Sequence, residues 1–166
     1  VPSLAVVLVG NDPASKVYVG NKKKACEYCG IKSLEYLLEE STSEQELLGL
    51  IDVLNKEPTV NGILVQLPLP SHINEQHIIN AINPHKDVDA FHPVNVGKIM
   101  TGNPDFLPCT PAGVMEIFKK YNIETAGKDC VIIGRSNIVG KPMSMLMLAA
   151  DSTVTVCHSK TKDLKQ

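Results

Sequence analysis

The sequence predicts an α/β fold in two lobes, on three observations. Apolar runs of strand length recur at Leu4–Val9, Gly62–Gln66, Cys130–Ile133 and Thr153–Cys157. The first three are each followed by a segment with helical periodicity. Between Asn83 and Pro108 the chain turns loop-rich, with Gly97, Gly102 and the prolines Pro84, Pro93, Pro104 and Pro108. Strands alternating with helices argue a parallel sheet in α/β layers. A loop-rich middle between two such units argues a division near Leu107 to Pro111, giving residues 1–108 as one domain and 109–166 as the other.

The elements follow in order. The run Val1 to Val9 is too evenly apolar for a half-exposed strand and reads as fully buried, closed by Gly10-Asn11-Asp12-Pro13. A helix is expected from about Ala14 to Tyr28, with Gly30 as its C′ residue and extended chain resuming at Ile31. Ser43-x-x-Glu46 is a capping box in front of the stripe Leu47, Leu48, Ile51 and Leu54. Pro58 stops that helix. The second buried strand ends in Leu67-Pro68-Leu69-Pro70, and a short helix fits Glu75 to Ile82. Thr110-Pro111 reads as an N-cap followed by proline at N1, with Val114, Met115, Ile117 and Phe118 as the apolar face. The strand ending at Gly134, a helix from about Lys141 to Ala150 and the strand Thr153–Cys157 complete the pattern.

Composition narrows the function classes. With 43% hydrophobic and 20% charged residues, the 166-residue chain can build a globular core. A net charge of −2 lacks the basic excess of a general nucleic-acid binder. Four Tyr and three Phe are too few for base-stacking platforms. No apolar run approaches the roughly 20 residues of a membrane helix. Five cysteines, an odd number, suit a reducing compartment such as the cytoplasm better than a disulfide scaffold. Cys26-Glu-Tyr-Cys29 is a CxxC, but no second CxxC or paired His follows at zinc-finger spacing. At i, i+3 near a helix end the two thiols are read as small apolar groups packing inward, and no metal is expected. Because the chain starts at Val1 in mid-strand and ends in a polar stretch, it reads as a piece of a longer protein.

Three segments carry site-like chemistry. Gly134-Arg135-Ser136-Asn137-Ile138-Val139-Gly140-Lys141-Pro142 lies between a strand and a helix, where a dinucleotide phosphate loop is expected. Glycines admit a phosphate to the backbone, and the helix N-terminus offers free N–H groups. Ser136 stands in place of the middle glycine of G-x-G-x-x-G, so a tight strand–helix turn is the competing reading. The next strand ends Cys157-His158-Ser159-Lys160-Thr161, without the acid that holds a ribose 2′-hydroxyl. With Arg135 in the loop, this suits a 2′-phosphate and favours NADP over NAD. In the first lobe, Ser15, Tyr18 and Lys22 fall along one helix face, although Tyr18 fits a core position and Lys22-Lys23-Lys24 fits a solvated face. Val65-Gln66-Leu67 ends a buried strand, and the carboxyl ends of strands are where ligands bind open α/β sheets. Asp87 and Asp89 share a loop, where turn capping is the alternative to a binding role.

Taken together these segments resemble the bifunctional methylenetetrahydrofolate dehydrogenase/methenyltetrahydrofolate cyclohydrolase family. The similar stretches are Val6-Val7-Leu8-Val9-Gly10 with Pro13-Ala14-Ser15, Tyr18-Val19-x-x-Lys22-x-Lys24-Ala25, and Gly62 through Pro70. Lys86-Asp87-Val88-Asp89, Pro108-Cys109-Thr110-Pro111-x-Gly113, Gly134-Arg135-Ser136-x-x-Val139-Gly140-x-Pro142 and Cys157-His158-Ser159-Lys160-Thr161 follow in the family's order.

The resemblance implies an N-terminal catalytic domain, a partial Rossmann-like NADP-binding domain, and a cleft between them. It implies oxidation of 5,10-methylenetetrahydrofolate by NADP, then hydrolysis of the methenyl product to 10-formyltetrahydrofolate. By motif position, Lys22 is the proton-handling residue, with Tyr18, Gln66 and Asp89 as its catalytic companions. Ser15, Tyr18, Val65, Gln66, Leu67 and Asp89 are the substrate-binding set. Gly134, Arg135, Ser136, Val139, Gly140, His158 and Ser159 are the cofactor-binding set. A homodimer is implied, with folate as the partner and neither nucleic acid nor membrane. Ala90 stands where the family usually has glycine, which predicts a strained loop beside Asp89 if that position needs a positive φ. The rival readings are a binding-only piece of such an enzyme, an unrelated α/β oxidoreductase, and an interaction domain with a vestigial phosphate loop.

Overall fold

The computed structural model describes residues 1–164; Lys165 and Gln166, the last two positions of the expected second domain, lie outside the described residues. The chain divides into two compact units, Val1–Val88 and Asp89–Gln166.

In the first unit the apolar run at the start of the chain becomes β1 (Ser3–Val9), the middle strand of a parallel sheet ordered β2-β1-β3. Its neighbours are β2 (Lys32–Leu38) and β3 (Gly62–Val65). With strands on both edges and helices on both faces, β1 has no wet side, which is why its sequence is apolar rather than alternating. Ala5, Val7 and Val9 pack with Leu47, Ile51 and Leu54 of α2 (Glu44–Lys56) and with Ile78 of α3 (Glu75–Ala81). Val6 and Leu8 point the other way, against Val19 of α1 (Pro13–Cys29) and Leu64. Two caps, the Ser43/Glu46 box and Gly30, are the expected ones, and Asp12 adds a third. Asp12 accepts the Ser15 N–H at 2.7 Å with Pro13 in the first turn, and Ser43 and Glu46 form a reciprocal capping box. Gly30 closes α1 in the left-handed conformation at φ 70°.

The Lys86–Val88 loop is fixed to this unit by backbone and side chain alike. Lys86 donates from Nζ to the carbonyls of Leu54 (2.9 Å) and Glu57 (2.8 Å), satisfying the open C-terminus of α2. Its own carbonyl accepts the Ile63 N–H at 2.7 Å. Val88 lies directly on Gly62: a Cβ there would come within 2.6 Å of Val88 Cγ1.

The second unit contains α4 (Pro93–Met100), α5 (Cys109–Lys120), β4 (Asp129–Ile133), α6 (Gly140–Ala149) and β5 (Thr153–Cys157). β4 and β5 pair in parallel, Asp129 opposite Thr153 and Ile133 opposite Cys157. α6 packs on both strands and on α4 and α5, with Met143 and Met147 buried.

Four local expectations change. Residues 83–108 are not all loop: Pro93 opens α4, with His92 Nδ1 accepting the Val94 N–H at 3.2 Å. Proline is harmless at N1, where the missing N–H has no helical partner. α5 starts at Cys109 with Pro108 as its N-cap, so Thr110 lies inside the first turn and Pro111 at its third position. The 89–108 stretch clusters with the second unit, because α4 packs on α6. Of the CxxC pair only Cys26 packs inward, where burial pushes its thiol pKa up; Cys29 is exposed.

Candidate active site and cofactor loop

The parallel register brings the carboxyl ends of β1 and β3 side by side. The Gln66 N–H continues the ladder to Val7 O at 2.8 Å, so Gln66 leaves the sheet directly after buried Val65. Directly after it, Leu67 and Pro68 are joined by a cis peptide bond. The Gln66 amide is fixed at both ends: Nε2 donates to Leu67 O at 2.9 Å and Oε1 accepts from Lys22 Nζ at 3.0 Å. Lys22 is half-buried on α1, while Lys23 and Lys24 beside it are exposed and Lys23 pairs with Glu35 at 2.8 Å. The lysine run is therefore a solvated face from which Lys22 alone turns to the strand end.

Tyr18, one turn earlier on α1, is 61% exposed, which removes the core-residue reading. Ser15 is 3% exposed and committed to Asp12. The Ser15 N–H, then its hydroxyl, hold the Asp12 carboxyl below the usual aspartate range. Ser15 thus secures the start of α1. Asp89 is half-buried at the first position of the second unit, beside Ala90, whose φ is 58°. The positive φ expected at that position is present, and alanine occupies it with 1% exposure.

In the second unit Gly134 leaves β4 at φ 136°, its N–H donating to Cys157 O at 2.7 Å. Gly140 opens α6 in such close approach that a Cβ would lie 2.4 Å from Gly134 O. Both outer glycines of the expected phosphate loop are thus required by backbone geometry. Ser136 is exposed and accepts the N–H groups of Val139 (3.1 Å) and Gly140 (3.2 Å) on its Oγ. Arg135 is exposed. At the end of β5, His158 N–H donates to Thr161 Oγ1 at 2.8 Å, and Ser159 and Lys160 are exposed with no carboxylate in the segment Cys157–Thr161.

Sequence reasoning missed two contributors. Lys86 is the C-terminal cap of α2, a long-range contact that no local pattern announces. Asp12 is a helix cap whose signal, an acid directly before Pro13, was legible. Among the described residues no cluster of three or more His, Cys, Asp or Glu is placed to hold a metal ion.

A lysine tethered to a strand-end amide, together with a glycine-tightened strand–loop–helix turn, marks a dinucleotide-linked α/β protein. Residues 1–89 match the family model of the tetrahydrofolate dehydrogenase/cyclohydrolase catalytic domain, and residues 108–166 match that of its NAD(P)-binding domain. The chain belongs to the tetrahydrofolate dehydrogenase/cyclohydrolase family. It is 66% identical over 165 residues to the bifunctional protein FolD of Acetivibrio thermocellus, covering 99% of this chain and 58% of that protein. The crystal structure of bifunctional FolD from Campylobacter jejuni superposes with a TM-score of 0.95 at 58% identity, over 98% of this chain and 58% of that one. The Trypanosoma brucei dehydrogenase-cyclohydrolase, solved with NADP and an inhibitor, gives 0.92 at 37% identity, over 97% and 55%. The chain spans about 58% of the length of the relatives it matches.

Proposed function

We propose that this chain carries the folate-side machinery, and part of the cofactor-side machinery, for oxidising 5,10-methylenetetrahydrofolate with NADP and hydrolysing the methenyl product to 10-formyltetrahydrofolate. The observation that carries this reading is the 3.0 Å bond from Lys22 Nζ to Gln66 Oε1 at the carboxyl end of β3.

A glutamine places the lysine without an opposing charge, because an amide oxygen can accept from an ammonium or from a neutral amine. A carboxylate in the same place would favour the ammonium. The Lys22 amine takes a proton from the water attacking the methenyl carbon. The carbon–nitrogen bond to the leaving ring nitrogen then breaks, that nitrogen takes up a proton, and one proton goes to solvent. Tyr18 offers an exposed hydroxyl one turn away, Val65 and Leu67 border the amide, and Asp89 is assigned to the folate ring by its place in the family motif.

When bound, NADP supplies the hydride acceptor. The residues present fit it: Gly134 and Gly140 keep the loop backbone thin, Arg135 is an exposed cation, and β5 ends in His158 and Ser159 with no carboxylate to repel a 2′-phosphate. Family kinship also supports a homodimer acting in the cytoplasm, with no nucleic-acid or membrane partner. Among the described residues no helix is long and apolar enough to cross a membrane.

The test is methenyltetrahydrofolate hydrolysis, followed by absorbance, for the chain and its Lys22→Met variant. Turnover lost in a variant with unchanged circular dichroism supports the assignment, whereas equal turnover in the two refutes the role of Lys22. Folate binding without turnover in either favours the binding-only reading. In parallel, Arg135→Ala is expected to weaken NADP by about 10- to 100-fold, the worth of a charged hydrogen bond, and to leave NAD nearly unchanged. An unchanged NADP/NAD ratio would refute the 2′-phosphate assignment.

A further inference from the structure

Residues 83–88 are the last stretch of the first unit, and their bonds converge on Lys86. The Asn83 N–H donates to Asn55 Oδ1 at 2.8 Å, and the Lys86 N–H donates to Asn83 O at 2.7 Å. The Lys86 carbonyl accepts from Ile63, and its Nζ donates to Leu54 O and Glu57 O at 2.9 and 2.8 Å. Asp87, 2% exposed, then pairs in parallel with Ile63, and Val88 closes on Gly62. The chain therefore leaves the unit running in the direction of β3. α2 has little need of this lysine. It already carries a full capping box and buries Leu47, Ile51 and Leu54, while its own terminal cation, Lys56, turns back to Asp52 at 2.6 Å. Helix ends also satisfy their last carbonyls with water. A loop held by turns and a single bridge gains more from the same two bonds.

The residue joined to Val88 is Asp89, assigned above to the folate ring. Resting on that reading, we propose that Lys86 is a positioning residue for folate binding: its ammonium, clamped on two carbonyls at the end of α2, sets the backbone from which the Asp89 carboxylate is presented. The effect passes through Asp89, and this bounds its size, because misplacing a carboxylate cannot cost more than removing it. It also separates the role from helix capping. A cap acts on the stability of α2 whatever stands at position 89, whereas a positioning residue loses its influence on binding once that carboxylate is gone.

The experiment measures tetrahydrofolate binding by the chain, by Lys86→Met, by Asp89→Ala and by the double variant, with Ser43→Ala as control. Tetrahydrofolate carries the ring but no one-carbon bridge, so it is not consumed. Asp89→Ala is expected to weaken binding by about 10- to 100-fold, the worth of a charged hydrogen bond, and Lys86→Met by about 3- to 10-fold. The double variant is expected to bind no more weakly than Asp89→Ala alone. Ser43→Ala removes the cap at the other end of α2, at comparable cost in stability, and is expected to bind as the unsubstituted chain does. Unchanged binding in Lys86→Met, losses that add in the double variant, or an equal loss in Ser43→Ala would make Lys86 a helix cap only. Each of these overturns the proposal and leaves the folate reading intact. Should Lys86→Met fail to fold, the same cycle run with Gly62→Ala decides, since its methyl pushes on Val88 and leaves the α2 bonds in place. No binding by the unsubstituted chain, or full binding by Asp89→Ala, overturns the folate reading and the proposal together.

Discussion

Gln66 Oε1 accepts the Lys22 Nζ proton at 3.0 Å while Gln66 Nε2 is anchored on Leu67 O at 2.9 Å, so the second bond dictates the first. An amide flipped end for end would face Lys22 with NH2 and forfeit both contacts. The orientation of one side chain, set by the backbone turning out of β3, thereby determines which atom meets the lysine.

Replacing that amide by a carboxylate is the sharpest probe of the arrangement. Gln66→Glu is isosteric but holds the ammonium in its charged form, an interaction of about 1.5–3 kcal/mol. Hydrolysis near neutral pH is expected to fall by about 10- to 100-fold. An unchanged rate would show that the neutrality of Gln66 is irrelevant.

Gly140→Ala is expected to destabilise the second unit by at least about 1–3 kcal/mol, since the new methyl meets backbone that cannot yield. Gly113→Ala makes the matched control. Nothing lies within 4 Å of a Cβ there, and the position is inside α5. Alanine should stabilise it by about 0.5–1 kcal/mol. Urea midpoints for the two variants moving in the same direction would contradict the close-approach argument.

At Ala90 two effects oppose each other. A left-handed φ of 58° costs an alanine about 1–2 kcal/mol, whereas the buried methyl contributes about 0.8 kcal/mol. The difference favours glycine, and Ala90→Gly is expected to raise the unfolding free energy by up to about 1 kcal/mol. A drop of that size in urea titration would mean that packing of the methyl dominates.

The seam between α2 and α3 should be acid-sensitive. Glu44 accepts the Asn74 N–H at 2.7 Å and a His77 ring nitrogen at 2.8 Å, and these partners, the backbone N–H foremost, hold its carboxyl below the ordinary glutamate value of 4.5. A depressed carboxylate contributes stability above its unfolded pKa and loses it as pH falls through the folded value. Glu44→Gln is therefore expected to lower the melting temperature at pH 7 and to match the unsubstituted chain well below pH 4.5. A gap that persists in acid would point to lost shape rather than lost charge.

The elements legible in the sequence were those whose signal is local. β1, β3 and the helices α1, α2 and α6 announce themselves through buried runs and caps such as Ser43/Glu46. β2 was less visible, because an edge strand with alternating exposure, Lys32–Leu38, lacks the apolar run that identified its neighbours. α4 was hidden by Pro93, read as a breaker although it sits where proline is tolerated. Lys22 and Gln66 could each be nominated, but their bond spans 44 residues and depends on the parallel register. The Ser136 contacts were invisible for a similar reason: a hydroxyl in a glycine's place gives no sign of which N–H groups it will satisfy.

The sheet of the first unit is held unequally on its two faces. α2 and α3 clamp one side through Leu47, Ile51, Leu54 and Ile78, whereas α1 buries only Ser15, Val19 and Cys26, with Val19 alone joining the apolar cluster of Val6, Leu8 and Leu64. Regions with few buried apolar contacts open first under native conditions. Amide hydrogens of α1 should therefore exchange ahead of those of α2, and in rising denaturant turnover should fade while most of the helical signal survives. The element that carries the lysine is thus held less firmly than the helix pair on the opposite face of its sheet.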